Sequence, residues 1–259
     1  MKNYEELFND NELKIWADVT TYCNAKCPQC PRTDPNGLGK AEWLELNQWS
    51  LQQFQENFPI SILENCQQFE FCGEWGDAIM NKDIFEMCKY VIDNSNSTIA
   101  IHTNGSIRTP KWWKELGEMC GDRLVVTFDI DGFIQQQHEH YRVGTDLKLI
   151  CDNLKALNDT ESEVEVFTII FKHNEDDIPK IAKFVKELGV EKIMFILSSR
   201  FAKVAEINSR KIFEYTDNNN KINILEQSRF NDDAGSIFLK DIILNNESIN
   251  ILEDYVKNN

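Results

Sequence analysis

Between residues 14 and 200, short apolar runs of strand length alternate with segments whose apolar residues recur every three or four positions. This is the pattern of repeated strand–helix units around a parallel sheet. Strands are expected at residues 15–20, 69–72, 98–103, 124–129, 164–171 and 192–197. Helices fill the intervals. Residues 47–58 carry Leu51, Phe54 and Phe58 on one face, and residues 82–93 turn Ile84, Cys88, Val91 and Ile92 inward. Thr109-Pro110 starts a third helix that runs to Gly121, because proline suits the first helical turn. Leu147, Ile150, Leu154 and Leu157 mark the fourth, and Ile178, Ile181, Val185 and Leu188 the fifth, closed by Gly189.

Six such units with no detectable return strand predict an α/β fold, a partial (β/α)6 barrel of the TIM type. The pattern weakens beyond Ala202, where residues 217–220 are polar and Ile249, Leu252 and Val256 suggest a short final helix. Two parts are therefore expected, a barrel core over residues 1–202 and a C-terminal extension over 203–259 packed on it. Ligand-binding loops of such sheets lie at the carboxyl ends of the strands.

Composition narrows the setting. A chain of 259 residues, 42% hydrophobic and 11% aromatic, buries a sizeable core and is not a disordered protein. No apolar run approaches the roughly 18 residues of a membrane span, and the first residues lack a signal peptide's apolar centre; a cytoplasmic protein is expected. Eight cysteines without a secretory signal fit a reducing compartment, where thiols serve metals or cores. The net charge of -16 repels phosphate backbones and anionic lipid, so neither nucleic acid nor membrane is expected as a partner.

The chemistry concentrates directly after the first strand, in Cys23, Cys27 and Cys30, a Cys-x-x-x-Cys-x-x-Cys run. Three thiolates on one loop can hold a 4Fe-4S cluster by three irons and leave the fourth open. A zinc site draws four ligands, usually from paired knuckles, and no second pair follows. Buried structural cysteines are the other alternative, although Asn24, Lys26, Pro28, Gln29, Pro31 and Arg32 make the run a polar turn. Cys66, Cys88, Cys120 and Cys151 read as core residues. Cys72 ends the second strand and is a weaker candidate for a substrate-side hydrogen donor. His102 and His173 are assigned no metal.

The cysteine spacing and its place after the first strand resemble the radical S-adenosylmethionine (SAM) superfamily, and later strand ends strengthen the likeness. Gly73-Glu74-Trp75-Gly76-Asp77 resembles that superfamily's Gly-Gly-Glu motif, either in the Gly76-Asp77 register or in the Gly73-Glu74 one. Thr103-Asn104-Gly105 is similar to the Thr-Asn-Gly of many relatives, and Asp129-Ile130-Asp131-Gly132 to a Ser-Ile-Asp-Gly segment beside the cofactor's ribose and methionine portions. Arg142, in a Tyr-Arg-Gly-like stretch, would bind the methionine carboxylate through its planar fork. Phe171-Lys172-His173-Asn174 and Ser198-Ser199-Arg200 complete the ring of strand ends, with Ser198 included among the expected cofactor contacts.

The resemblance implies two cofactors, a 4Fe-4S cluster and SAM. It implies reductive cleavage to a 5'-deoxyadenosyl radical, which abstracts hydrogen from a peptide or small-molecule substrate. A one-electron donor such as flavodoxin or ferredoxin is the implied partner. Two departures stand out: Gln29 occupies a position that is commonly aromatic, and no cysteine follows Cys151, so the auxiliary clusters of SPASM-type relatives are not expected. These departures leave a second reading open, a non-catalytic iron-sulfur and SAM-binding regulatory protein. Fold and superfamily do not name the substrate.

Overall fold

The computed structural model describes residues 13–201, 206–207, 210–230 and 239–258. Six strands follow the expected alternation: β1 (Leu13–Ala17), β2 (Cys66–Phe71), β3 (Thr98–Thr103), β4 (Leu124–Asp129), β5 (Glu163–Ile170) and β6 (Lys192–Leu197). Three short strands come next, β7 (Glu206–Ile207), β8 (Arg210–Thr216) and β9 (Ile222–Glu226), and then β10 (Leu239–Ile243). The main sheet has seven strands in the order β1-β2-β3-β4-β5-β6-β10, and β7-β8-β9 form a separate one. By contact density the chain divides into two compact units.

The first unit comprises Met1–Asn24, Glu45–Thr127 and Asp152–Val164. Strands β1, β2 and β3 run parallel, with Ile15 opposite Phe69 and Phe69 opposite Ile99. Helices α1 (Leu51–Asn57), α2 (Ile60–Leu63), α3 (Ile84–Asn94) and α4 (Pro110–Cys120) cover them. Phe54 of α1 is wholly buried, its ring 5.3 Å from Phe69 and 5.8 Å from Phe71. Ser50 caps α1 with a reciprocal bond to Gln53, the arrangement that satisfies two orphan donors at once. Thr109 caps α4, with Pro110 in its first turn as expected.

Strand β2 begins at Cys66, three residues before the expected start, and two further boundaries in this unit differ from the sequence reading for a single reason. The chain leaving β1 turns away from β2 and pairs with residues 47–49: Trp49 N–H donates to Val19 O at 2.9 Å and Thr21 N–H to Asn47 O at 2.8 Å. Strand β1 therefore ends at Ala17 and α1 begins only at Leu51.

The second unit comprises Ala25–Leu44, Phe128–Cys151 and Glu165–Asn259. Strands β5 and β6 are parallel, Val166 opposite Ile193, and β10 pairs antiparallel with β6. This return strand had no counterpart in the sequence reading. Helix α5 (Gln135–His138) is a single turn, and α6 (Leu147–Asn158) follows. Helix α7 (Ile178–Glu187) buries Ile178, Ile181, Ala182 and Val185, and α8 (Asn246–Asn258) buries Leu252. Fully enclosed Glu175 is bonded by Lys172 at 2.7 Å and by Arg229 at 2.9 Å.

Candidate functional site

In the first unit the sequence-predicted residues gather around Cys23. Gly76 is where the backbone must come close. A Cβ there would lie 2.2 Å from Thr20 O and 2.8 Å from Tyr22 O, so only glycine lets this loop reach the segment that leads into the cysteines. The next residue fixes the contact: Asp77 N–H donates to Tyr22 O at 2.8 Å. The Asp77 carboxylate, 3% exposed, accepts from Thr103 Oγ1 at 2.9 and 3.0 Å, from Asn104 N–H at 2.9 Å, from Asn104 Nδ2 at 2.6 Å and from Ile79 N–H at 3.1 Å. Donors from the chain thus satisfy this buried carboxyl group, as burial requires. Asn104 Nδ2 also lies 3.7 Å from Cys23 Sγ.

Gly73 and Glu74, the other register of the glycine–acid motif, are exposed. Cys72 is half-buried at the end of β2, its N–H bonded to Ala17 O at 3.0 Å. Burial, and after it the Asp18, Glu70 and Glu74 charges, push its thiol up to about 11. It is a thiol at neutral pH. Asn153, which the sequence did not single out, braces the loop after β3 by donating to Gly105 O at 2.9 Å and Ile107 O at 3.1 Å.

The second unit contains Cys27 and Cys30. Cys30 N–H donates to Cys27 O at 3.0 Å and Thr33 N–H to Cys30 O at 2.9 Å, while Lys26 N–H is tied to Val143 O at 2.8 Å. Cys27 is buried, and burial pushes its thiol up to about 12 against the opposing pull of the Arg142 guanidinium. Gln29 is buried too. Its Oε1 accepts from Ser198 Oγ at 2.8 Å and its carbonyl from Arg200 Nη1 at 3.0 Å, while its Nε2 has no partner among the described residues.

Arg142 bridges two predicted carboxylates, Nη1 to Asp129 at 2.9 Å and Nε to Asp131 at 2.6 Å. One guanidinium is shared by two acids. Burial therefore outweighs its attraction and pushes enclosed Asp131 up to about 6. Burial lowers the Arg142 pKa, but the two carboxylates outweigh it and hold the group firmly charged.

Behind this triad lies His138, unmarked by any sequence pattern. Its Nδ1 accepts Asp131 N–H at 3.2 Å, so its Nε2 carries the proton and faces Thr145 Oγ1 at 2.9 Å, which in turn donates to Arg142 O at 2.6 Å. Burial, with Arg142 adding to it, lowers the His138 pKa to about 3 and keeps it neutral.

None of the eight cysteines is in a disulfide. Among the described residues no three Cys, His, Asp or Glu side chains converge on a single metal ion. A cluster makes a different demand, because each thiolate takes its own iron and the sulfurs stay apart.

A mostly parallel sheet with a three-cysteine loop after its first strand is the arrangement expected from the resemblance to the radical SAM superfamily. The comparisons with known proteins agree. The chain is 24% identical over 184 residues to the AdoMet-dependent heme synthase of Methanosarcina barkeri, covering 70% of this chain and 49% of that one. It is 23% identical over 208 residues to the antilisterial bacteriocin subtilosin biosynthesis protein AlbA of Bacillus subtilis, covering 76% and 44%. In fold it resembles native anSMEcpe with bound AdoMet, at a TM-score of 0.57 and 18% identity over 76% of this chain and 54% of that one. No protein-family model matches. In sequence and in fold the chain is thus similar to proteins of AdoMet-dependent chemistry, and it spans about half the length of the curated relatives it matches.

Proposed function

We propose that the chain is a radical SAM enzyme whose Cys23, Cys27 and Cys30 hold a 4Fe-4S cluster. The observation that carries this reading is the composition of the loop. Between residues 23 and 30 it offers three thiols and no carboxylate or imidazole, a donor set that suits iron and sulfide. Its surroundings fit such a cluster, with an amide N–H directed at Cys23 Sγ. Bound together, cluster and SAM supply a 5'-deoxyadenosyl radical that abstracts hydrogen from substrate.

The chain's own residues bind, orient and shield. We assign the SAM site, as contacts or as their support, to Gly73, Glu74, Gly76, Asp77, Thr103 and Asn104 in the first unit and to Asp129, Asp131, Arg142 and Ser198 in the second. Their roles differ. Asp77 is already saturated by the chain's donors and acts as scaffold, which leaves exposed Glu74 to meet the ammonium group. Arg142, with two carboxylates on its fork, positions Asp129 and Asp131 at the end of β4.

The proposed substrate is a peptide or small polar metabolite; similarity to a protein of bacteriocin biosynthesis favours the peptide. A flavodoxin or ferredoxin would deliver the electron. Residues 1–202 would form the catalytic core and 203–259 its extension. Eight cysteines with none in a disulfide support a place in the reducing cytoplasm.

The test is anaerobic reconstitution with dithionite and SAM, followed by chromatography for 5'-deoxyadenosine. The product should form and should vanish in Cys23→Ala. An intact cluster without product would favour the non-catalytic reading.

A further inference from the structure

The Asn104 carboxamide is buried, and its orientation is fixed from both ends. Its Oδ1 accepts Ser106 N–H at 2.9 Å, so its NH2 group faces Asp77 Oδ2 at 2.6 Å, Asn24 Oδ1 at 2.9 Å and Cys23 Sγ at 3.7 Å. Asn24 is pinned in turn, its Nδ2 donating to Ser106 O at 2.9 Å, which leaves its Oδ1 as the acceptor. Two amide hydrogens therefore serve three acceptors. The Asp77 carboxylate, the strongest of them, takes one, and Asn24 and Cys23 share the other. A neutral thiol competes poorly for that hydrogen, whereas a thiolate competes well.

We propose that Asn104 is a positioning residue for Cys23: held by Asp77, it donates a hydrogen bond to the sulfur once that sulfur is an iron-bound thiolate, and so raises the cluster's reduction potential. The inference rests on the reading of Cys23 as a cluster ligand. Donation draws electron density from the sulfur. The reduced cluster, with its extra negative charge, gains more from the bond than the oxidised one, and hydrogen bonds to sulfur are among the factors that set such potentials. Thr103 completes the device by holding the other side of Asp77, so the strength of the Asn104–sulfur contact is set at the end of β3 rather than within the cysteine loop.

The experiment is a potentiometric titration of the reconstituted protein followed by electron paramagnetic resonance, comparing wild type with Asn104→Ala. The midpoint should move to a more negative potential. At a fixed solution potential the ratio of reduced to oxidised cluster should fall about tenfold, equivalent to about 59 mV for a one-electron couple. A second measurement does not depend on the variant's folding. In wild-type protein carrying 15N-asparagine, the reduced cluster should show a 15N hyperfine coupling, and where Asn104→Ala folds the coupling should be lost. An intact cluster with an unchanged midpoint, or wild-type protein without that coupling, overturns the proposal. Wild-type protein that assembles no cluster overturns instead the reading on which it rests.

Discussion

At the scale of single residues, the site depends on groups whose neighbours dictate both protonation and identity. His138 is neutral because burial and the Arg142 charge depress its pKa to about 3, against about 6.5 in an unfolded chain. Below that unfolded value the unfolded chain takes up a proton that the folded chain refuses. Stability is thus full above pH 6.5 and is lost as pH falls toward 3, by up to about 1.4 kcal/mol per pH unit. Urea unfolding at pH 7 and pH 5 should show wild type losing about 1–2 kcal/mol more than His138→Gln; equal losses would refute the assignment. Glycines offer a second contrast. Gly76→Ala drives a methyl group against the Thr20 carbonyl and should cost about 1–3 kcal/mol. Gly39→Ala meets nothing within 4 Å and lies outside the left-handed region, so it should be neutral or gain about 0.4–1 kcal/mol. Urea midpoints of the two variants, falling in one and unchanged or raised in the other, check both. The three cysteines stood out in the sequence because a site that holds a cluster needs a fixed spacing. His138 did not, since a buried hydrogen-bonding role imposes none.

At the scale of elements, periodicity revealed what packs on a sheet and missed what pairs at its margins. Strands β3, β4 and β6 fall where the apolar runs put them, because alternate residues along each run are buried on one face. The end of β1 was misread. Val19 and Thr20 look as strand-like as Ile15, yet their backbone bonds go to residues 47–49, a choice that side-chain pattern does not encode. The C-terminal part shows the same limit: residues 217–220 read only as polar, whereas they turn between antiparallel β8 and β9, with Asp217 Oδ1 accepting from Asn219 N–H and Lys221 N–H and Asn220 at a φ of 59°. Asn at a hairpin turn was the available signal. Caps were more legible. Ser50→Ala removes the bond to Gln53 N–H and should cost about 1 kcal/mol in the same unfolding assay, with no change in the far-ultraviolet spectrum beyond α1.

At the scale of the whole molecule, sequence, fold and charge point the same way. The net charge of -16 disfavours nucleic acid, and the three cysteines call for a cofactor that a core of ordinary residues cannot replace. The account depends on one open iron, and protein purified and reconstituted without oxygen tests it most directly. Metal and sulfide analysis should return iron and sulfide in equal amounts, and the paramagnetic spectrum of the reduced cluster should change when SAM is added. Zinc without sulfide, or a cluster spectrum indifferent to SAM, would contradict it.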